Sequence, residues 1–339
     1  MKFLPRISWT GYLLGFIAFA VISAALALSA GEFNITVFNI PNILFSQPDS
    51  IEYLVITEIR LPRVLLGLAV GGSLGLAGVI LQGVYRNPLV EPYTLGISGG
   101  AALGVALAIV LGVSASVGAI SIPVFGFSGA VVTVILVYIF GSWRRRVETN
   151  NMVLIGVMVS FICTSLMMLI MALSTGQNLQ EIFFWVMGSL DVAKKSMVAV
   201  AVVVSLFGLM ASYFLVHPLN ALRLGNDQAR HLGINTNNLV RVLFLLASLL
   251  AGVSVAVAGV IGFVGLVVPH FTRGIVGSDF RILLVSSFLA GGGFLVLCDA
   301  MAKTIIAPGE LPIGVITGIV GGMTFMAILA GKSFKNRNL

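Results

Sequence analysis

Residues 60–100 read RLPRVLLGLAVGGSLGLAGVILQGVYRNPLVEPYTLGISGG. This is an apolar, glycine-rich helix with arginine at one rim, broken by Asn87-Pro88 before a second apolar stretch begins. A soluble enzyme core is not built this way. A chain that crosses a bilayer satisfies its backbone groups internally and confines its breaks to places buried in protein or lining a cavity.

Composition extends the reading to the whole chain. It is 58% hydrophobic and 9% charged with a mean hydropathy of +1.10, whereas soluble domains carry about 25% charged residues. The chain is therefore a polytopic membrane protein. A net charge of +7 and a pI near 9.7 fit a nucleic-acid partner or cytoplasmic membrane loops. The position of the charges favours the loops.

A helix needs about 20 residues to cross the hydrocarbon. The uncharged runs predict helices over 9–30, 62–83, 93–112, 116–141, 152–173, 197–216, 239–261, 263–276, 282–302 and 312–331. The eighth is short and contains Pro269, so hydropathy alone could merge it with its neighbour. Charge parity decides for ten spans. With an inside N-terminus, Arg60, Arg63, Lys194, Lys195 and Lys303 fall outside, and the other fourteen of nineteen Lys and Arg residues fall inside. Nine spans would put the basic C-terminal tail outside, against the positive-inside bias.

The first apolar segment follows Lys2 and Arg6 as a signal peptide would, but Trp9 to Ala30 is long enough to span. Cys163 and Cys298 match no metal or redox spacing and read as packing residues. No zinc, calcium or nucleophile motif is present. Gly331-Lys332-Ser333 resembles a phosphate loop, but Met326 stands where its first glycine belongs. ATP-driven transport would thus need an ATPase on another polypeptide. Ion coupling usually places carboxylates at the membrane midplane; Asp299 is the one acidic candidate, near a helix end. The tetrapeptide AGVI recurs at 77–80 and 258–261 with Pro88 and Pro269 at equal offsets, which suggests an inverted repeat.

Several ordered stretches then resemble one family. They are RLPR at 60–63, the run from Gly71 through RNPLVEP to LGISGGA, MGSL at 187–190, LNALRLGNDQARHLG at 219–233, AGVIGFVGLVVPHFTR at 258–273 and GELPIGVITGIVGG at 309–322. The chain resembles the FecCD permeases of bacterial ABC importers for iron-siderophores, haem and vitamin B12. The resemblance implies one all-α domain over 1–339 with the type II ABC importer permease fold. Implied partners are ATP-binding-cassette ATPase subunits, an extracytoplasmic substrate-binding protein, and an identical or paralogous second permease.

Each motif also has a reading of its own. In 219–233, Leu222, Leu224, Ala229 and Leu232 suit the apolar side of a short helix, with Asp227, Gln228 and Arg230 facing water. It is either a plain connector or, as the resemblance implies, the loop that couples to the ATPase through Leu222, Leu224, Asp227, Ala229, Arg230 and Gly233. Arg60 and Arg63 either snorkel to headgroups or, as in the family, dock acids of the binding protein, with Lys303 as a third contact. Turn chemistry explains Asn87-Pro88. The resemblance places Asn87, Leu89, Thr149 and Asn150 at a cytoplasmic gate, and Glu91 and Arg86 flank that turn in position to pair.

Gly96, Gly100 and Gly104 recur every four residues, as do Gly314, Gly318 and Gly322, and such faces let helices approach closely. They suit packing within one subunit or between two. Ser98, Gly99 and Gly100 are candidates for lining a wide, weakly sticking passage. The reading is an importer permease of the cytoplasmic membrane with both termini cytoplasmic. It has no catalytic, cofactor or metal site and no nucleic-acid partner. The cargo expected is a ferric siderophore, with haem and cobalamin as alternatives. The rival class is an ion-coupled secondary carrier.

Overall fold

The computed structural model describes residues 9–31, 35–46, 50–118, 120–141, 149–191, 195–306 and 309–337. Ten helices carry the fold: α1 Trp9–Ser29, α2 Leu61–Tyr85, α3 Ile97–Val110, α4 Ser121–Gly141, α5 Thr149–Leu173, α6 Lys195–Phe214, α7 Thr236–Ala258, α8 Val264–Val276, α9 Phe280–Thr304 and α10 Ile313–Arg337. They coincide with the ten segments expected. Seven are long and apolar enough to cross a membrane; α3, α8 and the apolar part of α10 are shorter. Among the described residues all regular structure is helical.

The differences at the ends have local causes. The third segment starts at Ile97 because Pro92–Leu95 forms a 3-10 turn and Gly96 takes a left-handed φ of 83°. The seventh stops at Ala258 because Gly259 takes a φ of 71°. In the region before α2, hydropathy shows no span. Short helices Val37–Asn39, Ile40–Ser46 and Ile51–Leu54 lead there into a π-helical turn over Val55–Arg60 that runs directly into α2.

α2 is the central column, buried along nearly its whole length and packed against α6, α7, α8 and α9. Its glycines make this possible. A Cβ at Gly71 would strike the carbonyl of Gly291 on α9, and one at Gly78 would strike the carbonyl of Gly265 on α8. With little hydrophobic drive between helices in lipid, close backbone approach supplies the packing. A second stack of α3, α4 and α5 joins this group through α7. Within it, Gly100 faces Gly129 and Gly104 faces Phe125 of α4.

Large apolar side chains point outward on α5 and α6, including Phe161, Met168, Val203 and Phe207. Several buried hydroxyls are satisfied within the bundle. Ser254 donates to the Leu250 carbonyl, and Thr272 to that of Val268, with Ser287 on α9 at 2.6 Å. The two AGVI copies differ in backbone, since 77–80 is helical and 258–261 forms the break between α7 and α8. The tetrapeptide therefore does not mark equivalent positions.

Candidate functional site

The centre of the site is the break at 259–263. Ending α7 and starting α8 inside the bundle frees backbone groups that must find partners. Separate motifs supply them. Ser189 N–H donates to the Ala258 carbonyl at 2.9 Å, and Gly314 N–H donates to the Met187 carbonyl at 3.1 Å. The MGSL turn thus ties the end of α7 to the start of α10. From the other side comes the stretch after Asn87-Pro88. Ile261 N–H donates to the Tyr93 hydroxyl at 3.3 Å, Pro92 packs on Gly265, and the Glu91 carboxylate accepts from Phe263 N–H. A carboxylate at the first turn of α8 is also favoured by the helix dipole.

At the end of the bundle where α2 begins lies a charge cluster. Arg63 is only 5% exposed. Its Nε lies 3.0 Å from Asp299 Oδ1 and 3.1 Å from Oδ2, and its Nη2 lies 2.9 Å from Oδ1. The same guanidinium reaches Asp191 at 3.0 Å and Glu310 at 2.8 Å. Lys303 Nζ closes on Asp299 Oδ2 at 3.0 Å, one helical turn along α9. Asp299 is as buried as Arg63, whereas Asp191 and Glu310 are 64% and 44% exposed in their side chains. Arg60 is buried too, and its Nη1 donates to the Leu28 carbonyl at 2.7 Å.

At the opposite end, short helices Val216–Leu222 and Asn226–His231 form the loop before α7. Asn220 fastens it by donating to Asp279 Oδ1 at 3.0 Å and accepting from Phe280 N–H at 3.2 Å. Burial works to raise the Asp279 carboxyl. The hydrogen bonds from Arg281 N–H and Asn220, with the guanidiniums of Arg281 and Arg223, outweigh it and hold the group below the usual carboxylate value. Leu222 and Ala229 are buried in the loop, while Leu224 and Leu232 point outward at 59% and 64% exposure.

A profile of the FecCD transport family matches residues 19–331. The chain belongs to this family. The FecCD permease is 38% identical over 274 residues to the hemin transport system permease protein HmuU of Yersinia pestis, covering 80% of this chain and 82% of that one. It is 34% identical over 325 residues to the vitamin B12 import system permease protein BtuC of Yersinia enterocolitica, covering 94% and 92%. A solved inward-facing structure, described as that of a metal-chelate type ABC transporter, aligns with a TM-score of 0.83 at 30% identity over 95% of this chain and 99% of that one. PsaBC from Streptococcus pneumoniae, at 17% identity and a TM-score of 0.58 over 82% and 93%, shares the fold. The chain is thus a multi-pass permease component of an ABC importer.

The FecCD permease departs from several expectations. Arg60, Arg63 and Lys303 come together at one end, but as buried groups satisfied by internal partners rather than as an exposed basic patch. Their carboxylate partners are remote in sequence, so spacing could not reveal them, apart from Asp299 at four residues from Lys303. Glu91 does not pair with Arg86, because the chain after Pro88 folds back into the bundle and delivers Glu91 to α8. The bundle thus holds a partly buried carboxylate at this break, in addition to Asp299 in the Arg63 cluster. Gly99 packs on Ser160 of α5 and Gly100 on Thr133 and Gly129 of α4. Both are buried helix contacts within one chain and leave no surface for a passage; Ser98 beside them is half-buried.

In the loop, Leu224 and Leu232 leave the apolar side assigned to them, because the turn at Gly225 and the last turn before Gly233 aim them away from the bundle. Asp227, Arg230 and Gly233 are exposed, and Arg230 Nε donates to Thr236 at 3.0 Å. Asn87 Oδ1 accepts from Leu89 N–H at 3.0 Å in an Asx turn, with both residues exposed. Thr149 and Asn150 open α5, and their side chains lie outside the described residues.

Proposed function

We propose that this permease carries an iron chelate, a ferric siderophore in the first instance, across the cytoplasmic membrane on ATP hydrolysis by partner subunits. The relatives named above are a hemin permease, a vitamin B12 permease and a transporter of metal-chelate type. Their common cargo chemistry is a metal already held by an organic ligand. Among the described residues no three His, Cys, Asp or Glu side chains stand together to hold a metal ion, so the donor set suits passage of the intact chelate rather than a bare ferric ion.

The observation that carries the importer reading is the loop at 219–233. A polar connector pinned by Asn220 and Asp279 presents two large apolar side chains, Leu224 and Leu232, to the surroundings, as a protein partner would require. We place this basic end and both termini in the cytoplasm, with Leu222, Leu224, Asp227, Ala229, Arg230 and Gly233 forming the ATPase seat; buried Leu222 and Ala229 shape it from behind. The turn Asn87-Pro88-Leu89, with Thr149 and Asn150, is proposed as the cytoplasmic gate of a permease dimer.

Docking of the binding protein is assigned to the opposite end. There the partner's acids take Arg63, with Arg60 and Lys303, as exposed Asp191 and Glu310 give way. Reconstitution with its cognate ATPase and binding protein tests the whole. ATP-dependent uptake of a ferric chelate is expected, and accumulation driven by an ion gradient without the ATPase would refute it. Ligand binding by the cognate binding protein separates siderophore from haem and cobalamin.

A further inference from the structure

Two cavities meet along α8. The first, of about 720 Å³, is lined by Gln82, Arg86, Arg223, His270 and Arg273 among others. The second, of about 550 Å³, is apolar and runs between α1, α8 and α9 past Tyr12, Phe16, Phe19 and Phe294. Phe271 and Ile275 line both, so the cationic chamber and the apolar groove adjoin at these two side chains.

The chamber collects positive charge from three separate elements. Arg86 caps the end of α2, Arg223 follows the first helix of the coupling loop, and Arg273 lies in α8. Among the described residues, no carboxylate lies within ion-pairing distance of any of the three guanidiniums. The acid near them is Asp279, which is engaged by Asn220 and by Arg281 N–H. Converging like charges repel, and an anion held between them removes that cost while gaining charge-assisted hydrogen bonds.

Gln82 of α2 closes the chamber wall. Gln82 is 3% exposed, and its Oε1 is buried without a hydrogen-bond partner. Its amide N–H groups lie 3.4 Å from the Gly265 and Leu266 carbonyls, which ties this wall to the start of α8. The groove sets the rest of the ligand. Along α1 it runs from Gly11 to Phe19, about 12 Å at the helical rise of 1.5 Å per residue. That approaches half of a hydrocarbon core about 30 Å thick. Beside Gly15 there is open space.

We propose that this composite site binds one anionic phospholipid of the phosphatidylglycerol type. Its phosphate sits among Arg86, Arg223 and Arg273, and an acyl chain lies along α1 and α8. Basic pockets between helices on the cytoplasmic side are suited to such headgroups. The assignment to the cytoplasmic leaflet rests on the orientation proposed above, whereas binding itself does not. The bound phosphate would brace the coupling loop against α2 and α8, so lipid charge acts on the element that seats the ATPase.

The test uses the delipidated permease–ATPase complex in neutral detergent. It is titrated with phosphatidylglycerol, with phosphatidylcholine of the same chains and with inorganic phosphate, and retained lipid is counted by native mass spectrometry. Phosphatidylglycerol should be retained at least about tenfold more tightly than phosphatidylcholine, a difference of about 1.4 kcal/mol. Arg273→Gln and, at an exposed helix end, Arg86→Gln should each erase that preference with the ATPase still bound. Gly15→Trp, filling open space in the groove, should lower retention of both lipids.

Equal retention of the two lipids would overturn the proposal. So would full displacement of phosphatidylglycerol by millimolar phosphate, which would mark a free-anion site. Loss of the ATPase with lipid retention unchanged in Arg273→Gln would make the arginines a protein-docking surface and also overturn it.

Discussion

Replacing Asp299 by asparagine keeps the shape of the side chain and removes one charge from the buried centre of the cluster around Arg63. Asp299 takes three hydrogen bonds from Arg63, between 2.9 and 3.1 Å, and one from Lys303 at 3.0 Å. The side chains of Arg63 and Lys303 are 6% and 10% exposed, so water cannot replace the lost partner. Removing one member of a buried ion group costs about 3–5 kcal/mol, because the remaining charge stays buried and uncompensated. Here two cations face the vacated charge; Asp191 and Glu310 pair directly with Arg63, and Glu310 reaches Lys303 only through its field, which places the cost within that range.

Asp191→Asn is the internal control. That carboxylate is largely in solvent, where an ion pair contributes about 0–1 kcal/mol. Equilibrium unfolding in mixed micelles, read by proteolysis of the open state, should give Asp299→Asn a loss of at least about 3 kcal/mol and Asp191→Asn less than about 1. The triple replacement Arg63→Met, Asp299→Leu, Lys303→Met should recover most of the loss, since apolar groups of like volume substitute for a buried ion group with little penalty. A near-neutral Asp299→Asn, or equal losses for the two single variants, would refute the argument that burial sets the strength of this cluster.

Two further outcomes follow from exposure. Leu224→Glu with Leu232→Glu should lower ATPase co-purification at least about tenfold while thermal stability stays within about 0.5 kcal/mol of the parent, as for surface changes generally; Ala229→Glu, at a fully buried position, should instead unfold the loop. Normal co-purification of the double variant would reduce the loop to a connector. Asp191→Asn with Glu310→Gln should raise affinity for the binding protein by releasing Arg63, most visibly at low salt, where exposed charges are least screened; weaker or unchanged binding would sink the carboxylate exchange.

The ten helices were readable from sequence, down to the short α8 with Pro269, because the cost of placing charges in hydrocarbon is paid locally, residue by residue, along each span. The break at the Asn87-Pro88 turn was readable for the same reason, since a missing donor is a property of the residue itself, whereas the left-handed Gly96 falls inside the helix expected over 93–112. The family motifs likewise marked every segment that meets at the 259–263 break. Which segment meets which was decided only in three dimensions. When a helix is apolar on every side, hydropathy cannot tell a face turned to lipid from one turned to a neighbour, so Gly99 and Gly100 could be read as passage walls although they lock α3 against α5 and α4.

Charge is subject to the same limit. An arginine near a span end snorkels, docks or is buried according to whether carboxylates converge on it. Those of Arg63 come from positions 191, 299 and 310, brought together by the packing of α2, α9 and the chain before α6 and α10. Glu91 shows the converse: polar in sequence and next to a turn, it enters the bundle because the start of α8 needs an acceptor there. Local chemistry therefore determined where the chain crosses and breaks, and the close glycine contacts of the bundle decided which charges are buried and which partners they keep.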